Sequence, residues 1–157
     1  MNVEQVDQGP RRVARAVTVQ APAEDVFSLV ADPHRHGELD GSGTVGGTVS
    51  GPTRLSEGER FSVAMKQYGV PYRITSRVTR FEEGRVVEWR HPAGHRWRWE
   101  ATPLTPTSTR VTEMFDYSTV PSLQAKAFEL LGVPKQNAAG IEATLRGLAS
   151  RWSAADR

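Results

Sequence analysis

The sequence contains no cysteine among its 157 residues, which excludes disulfides, thiolate metal sites and a cysteine nucleophile. Lysine is scarce too: Lys66, Lys126 and Lys135 stand alone, and arginine supplies the rest of the 20 basic residues. The 18 acidic residues almost cancel that charge and leave a formal net of +2. The arginine excess therefore reads as composition rather than as a phosphate-binding footprint. No apolar run approaches the roughly 20 residues that span a bilayer, and no charged-then-apolar leader pattern opens the chain. Stable membrane insertion is not expected, and the expected location is cytoplasmic. The chain has no Gly-x-Ser-x-Gly elbow and no Cys–His pair, which argues against a nucleophile-dependent hydrolase.

What is present suits one globular domain: 38% of residues are hydrophobic and 24% charged. Residues 1–10 are polar, end in Gly-Pro and are expected to be a flexible tail, with a single domain over 11–157. Val13, Val17 and Val19 share a parity and predict a first strand. Pro22 opens a short helix over 23–31, with Val26, Phe27 and Val30 on one side, and Asp32-Pro33 breaks it. A second helical turn is expected over 34–39, and a short strand near 44–50. Alternation then recurs in the sets Phe61/Val63/Met65, Tyr72/Ile74/Val78, Val87/Trp89/His91, His95/Trp97/Trp99 and Val111/Phe115/Tyr117. Turn residues separate the sets, as at Tyr68-Gly69, Glu83-Gly84 and Pro92-Ala93-Gly94. A helical piece over 122–131 ends at Gly132. A long helix from about Lys135 carries one stripe, Ile141, Leu145, Leu148 and Trp152. The predicted fold class is α+β: a curved antiparallel sheet of about seven strands wrapped around a long C-terminal helix, with two short helices after the first strand.

Five stretches carry a resemblance: VTVQAPAEDVFSLVADP (17–33), DGSGTV (40–45), GHRWRWEATP (94–103), TRVTEMFDYS (109–118) and NAAGIEATLRGLAS (137–150). With this layout, the chain resembles the START-like superfamily of polyketide cyclases and dehydrases and lipid-transfer domains. The resemblance implies a helix-grip fold with a deep, mostly apolar cavity between sheet and long helix. It fixes no reaction, since members include enzymes, carriers and ligand sensors.

The segment GSGTVG (41–46) matches a dinucleotide-binding spacing, but a helix precedes it and a strand follows, the reverse of what pyrophosphate binding needs. It reads as a loop at the cavity rim, and no cofactor is expected. His34-Arg35-His36 offers too few ligands for a metal and reads as a solvated loop at the mouth. No metal site is expected. Strict alternation turns Glu113 inward with Val111, Phe115 and Tyr117. A carboxyl there is either a proton carrier with a raised pKa, or it is displaced by a bulge or paired with an arginine. Phe61, Met65, Tyr72, Trp89, His91, Trp97, Trp99 and Phe115 fall on the same face and are candidate ligand contacts, each either cavity wall or plain core. Arg73, Arg77, Arg90, Arg96 and Arg98 take the opposite parity, facing water and pairing with Glu88 and Glu100. That split argues against nucleic acid, which wants rings and cations on one face.

Two functions fit. One is binding or transport of a hydrophobic small molecule, lipid or polyketide-like. The other is a polyketide cyclase, aromatase or dehydratase using acid–base chemistry in the cavity, with Glu113 and Tyr117 as first candidates and Tyr72 and His91 beside them. A protein-interaction domain is a weaker third, with no specific feature.

Overall fold

The computed structural model describes residues 2–40 and 45–153. Its elements, in order, are β1 (Glu4–Val6), β2 (Arg12–Val19), α1 (Ala23–Val30), a 3-10 turn (Pro33–Arg35), α2 (His36–Leu39), β3 (Val45–Ser50), β4 (Arg60–Gln67), β5 (Val70–Glu82), β6 (Val86–Arg90), β7 (Arg96–Thr105), β8 (Ser108–Asp116), α3 (Ser122–Leu130) and α4 (Val133–Ser153). The strands form one antiparallel sheet of eight, ordered β1-β2-β8-β7-β6-β5-β4-β3. Every neighbour in that order except β2–β8 is also a neighbour in sequence, so hairpins build the sheet and only one long-range pairing closes it.

The helix-grip architecture stands. The sheet has eight strands, and a short one lies within the stretch 1–10. Glu4, Gln5 and Val6 pair with Ala16, Arg15 and Ala14, and Arg110 anchors Glu4 through a 2.9 Å ion pair. Three residues are too short to show alternation, so the strand left no mark in the sequence pattern.

Helix α1 follows Pro22, whose fixed φ suits a helix entrance, and Glu24 and Asp25 sit where the helix dipole favours acid. Its Val26, Phe27, Leu29 and Val30 are buried. The Asp32 carboxylate accepts from the His34 amide and starts the next turn. Gly132, at φ +74°, adopts the left-handed conformation that separates α3 from α4.

Two features open space between sheet and helix. The first is in β5, whose residues 70–77 pair with β4 while 77–82 pair with β6. A register shift between Val78 and Arg80 bends the strand where it changes partner. The second is in α4. Ile141, Leu145 and Leu148 are buried as the stripe predicts, joined by Thr144 and Ala149. Toward its start the same side carries the short residues Asn137 and Gly140, which line an open space. The core is dense under the second half of α4 and hollow under the first.

Candidate functional site

The hollow is a cavity of about 500 Å³ between the first half of α4 and the concave face of β4–β8. Strand register explains its wall. Directly opposite residues share a face of the sheet. Met65 faces Tyr72, Phe61 faces Ser76, Trp89 faces Trp97, and Trp99 faces Glu113. All eight of these side chains line the cavity, as does His91 at the end of β6. Of the residues singled out by alternation, Phe61, Met65, Tyr72, Trp89, His91, Trp97, Trp99 and Glu113 are thus brought together. The glycine-rich segment 41–46 falls largely outside the described residues.

Phe115 and Tyr117 do not join them, which corrects the expectation for both. Phe115 is fully buried between Trp97 at 5.1 Å and His95 at 5.2 Å, with Tyr117 stacked on it at 5.4 Å. Tyr117 meets Phe128 of α3 at 6.3 Å. Alternation places them on the correct face, but α3 covers that end of the sheet and turns the wall into core. Burial raises the Tyr117 phenol, with Glu129 adding to the effect, so it is a poor acid at neutral pH.

Glu113 does point inward. Its register partner on β2 is Arg15, but that guanidinium turns to Glu142 on α4 at 3.0 Å and to the Ala14 carbonyl at 2.9 Å. Neither bulge nor arginine relieves Glu113. It is 7% exposed, and its Oε2 has no hydrogen-bond partner among the described residues. Burial pushes its pKa well above the usual carboxylate range, and the nearby Asp40 charge pushes the same way. Both effects favour the protonated form of Glu113, in which the carboxyl can donate as well as accept.

Three contributions escaped the sequence reading. His36 is not solvated: it stacks on Trp89 at 5.1 Å, meets Phe61 edge-on at 5.7 Å and donates Nε2–H to the Val30 carbonyl at 2.7 Å. That bond fixes the tautomer, and burial lowers the ring's pKa. Asp40 lines the cavity beside Leu39. The spacing 36, 39, 40 is one face of a helical turn, a signal present in the sequence but short. The third contribution is the polar flank Gln136, Asn137 and Thr144 of α4. It continues the apolar stripe upward with small and polar residues, which a search for apolar period alone passes over.

His91 accepts from the Ala93 amide at Nδ1 (2.9 Å) and stacks on His95 at 4.2 Å. Burial lowers both rings, and the His91 charge adds to the effect on His95, which falls to about 4. No group of three or more acidic or histidine side chains among the described residues is arranged to hold a metal.

On the opposite face, Arg98 reaches Glu88 at 2.7 Å and Glu100 at 3.4 Å, and Arg96 reaches Glu88 at 3.6 Å. These arginines are engaged in the sheet's own ladder, behind the tryptophans rather than beside them.

Comparison with known proteins agrees with this architecture. The family described as "Polyketide cyclase / dehydrase and lipid transport" matches residues 10–152. A Mycobacterium tuberculosis protein, Rv0088, itself uncharacterised, is 54% identical over 155 residues, spanning 98% of this chain and 69% of that protein. Among solved structures, a Rhodobacter sphaeroides protein superposes with a TM-score of 0.72 at 15% identity, covering 98% of this chain and 99% of its own. The Zhui aromatase/cyclase from a Streptomyces species gives 0.65 at 19% identity, covering 94% and 96%. The two structures share the fold. With the family match and the 54%-identical relative, the chain belongs to the polyketide cyclase / dehydrase and lipid transport family of the START-like superfamily.

Proposed function

We propose that the chain binds a hydrophobic small molecule, lipid or polyketide-like, in the cavity between sheet and α4. The observation that carries this reading is the cavity itself: about 500 Å³, walled by three tryptophans, a tyrosine and a phenylalanine, with a few polar groups at fixed points. Ligand sites have this size and this mixture. A core of this sheet that served stability alone would be filled, since each void forfeits contact energy. Thermal shift against a panel of lipids and aromatic polyketides tests the reading. A ligand at a hundred times its Kd adds about 2.7 kcal/mol, which is roughly 5–10 °C for a chain of this size. Absence of a shift across the panel, with Trp97→Ala behaving as wild type, would overturn it.

A second reading has its own observation. Glu113 is a buried carboxyl facing the cavity whose pKa burial raises, and the imidazole of His36, its pKa lowered by burial, lines the same space. Such a pair suits proton transfer on a poly-β-ketone held in a reactive fold, the chemistry of a cyclase or dehydratase. Under this reading Glu113→Gln abolishes turnover and leaves substrate affinity within a few-fold; normal turnover in that variant would remove Glu113 from the mechanism.

A further inference from the structure

The walls of the cavity differ sharply in charge from the rest of the molecule. Arginine is abundant in the chain, yet among the described residues neither arginine nor lysine lines the cavity. The one guanidinium that the sheet register sets opposite Glu113, that of Arg15, is held by Glu142. Two carboxyl groups, Asp40 and Glu113, do line it. The remaining titratable side chains there are His36, His91 and Tyr72. Burial lowers both histidines and keeps them uncharged at neutral pH. Helix α4 lines the cavity with Gln136, Asn137, Ala139, Gly140, Ile141 and Thr144, none of them charged. Strand β7 presents Trp97 and Trp99.

An aromatic box with acid at one side and no fixed positive charge repels carboxylates and phosphates. It favours a cation, which is attracted by the indole faces and by the carboxyls. Glu113 Oε2 is buried and has no hydrogen-bond partner among the described residues, so a polar ligand group beside it would relieve its desolvation.

We infer that the ligand of this cavity carries a protonated amine, seated beside Asp40 and Glu113 with its apolar body against Trp89, Trp97 and Trp99. This rests on the cavity-binding reading and narrows it to apolar amines over fatty acids, acyl phosphates and neutral ketones. In the empty protein burial favours the protonated form of Glu113. An arriving ammonium stabilises the carboxylate, so Glu113 ionises and a proton leaves to solvent.

Three probes of one shape separate the possibilities: naphthalen-2-ylmethylamine, naphthalen-2-ylmethanol and 2-naphthoic acid. Calorimetric titration at neutral pH, in two buffers of different ionisation enthalpy, gives affinity and protons released. The expected order is amine, alcohol, acid, with the amine ahead of the alcohol by about tenfold, a difference near 1.4 kcal/mol. Amine binding should release protons and alcohol binding should not. Glu113→Gln, checked for folding by circular dichroism, should cut the amine's advantage over the alcohol and abolish the proton release. If the alcohol or the acid matches the amine, or if Glu113→Gln keeps the advantage, the amine inference is overturned and the cavity reading survives. If none of the three binds, both fall.

Discussion

Glu113 and the histidines pull the stability of this protein in opposite directions along the pH scale. Burial raises the Glu113 pKa in the folded chain above the unfolded value of about 4.5. Between those two pKa values each step up in pH therefore favours unfolding. Glutamine has the same shape and no proton to lose. Glu113→Gln should gain in Tm relative to wild type as pH rises above about 4.5, by about 2–4 °C per kcal/mol, read by scanning calorimetry at several pH values. His95 works from the other side. Its folded pKa is held at about 4 against 6.5 in the unfolded chain. As pH falls from 6.5 toward 4 the unfolded state takes up the proton first, and stability drops by up to about 3 kcal/mol from this ring alone. Urea unfolding at pH 7 and pH 4.5 should show that loss, and His95→Leu should reduce it. The inward turn of Glu113 was legible in the sequence because strand parity is strict. The state of His36 was not, because its burial depends on Trp89 and Phe61, which arrive from strands 25 and more residues downstream.

At the scale of elements, the sequence reading works where a period persists and fails where it is short or changes character. The hairpins β4–β8 and the stripe of α4 were legible because they repeat. The edge strand Glu4–Val6 and the face of α2 span too few residues to repeat. The end of β8 shows a different limit: parity places Phe115 and Tyr117 on the inner face, but only the packing of Phe128 from α3 decides that this stretch is core. The open half of α4 is the element that creates the site. Gly140 lines the cavity and costs its helix about 1 kcal/mol relative to alanine. Gly140→Leu should restore that helix propensity and extend the apolar stripe into the hollow. The expected outcome is a chain at least as stable as wild type whose thermal shift with any cavity ligand is lost. A Gly140→Leu protein that still binds as wild type would show that ligands enter elsewhere.

Across the whole molecule, the curved sheet sorts its side chains by chemistry: rings and the Glu113 carboxyl inside, an arginine–glutamate ladder outside. This sorting separates binding from solubility, so the inner face can be altered without disturbing the charged exterior. It also distributes the tryptophans unevenly. Trp89, Trp97 and Trp99 line the cavity, while Trp152 lies on the far half of α4 with the Arg151 guanidinium over its ring at 5.8 Å. Most of the intrinsic fluorescence therefore originates at the cavity wall. An optically silent apolar ligand should shift the emission to the blue and shield it from acrylamide, and a Trp152→Phe variant should show the same response on a lower background. An unchanged spectrum at saturating ligand would place the bound molecule away from these indoles. The protein thus carries its own optical gauge of occupancy, with three lamps in the chamber and one outside it as the reference.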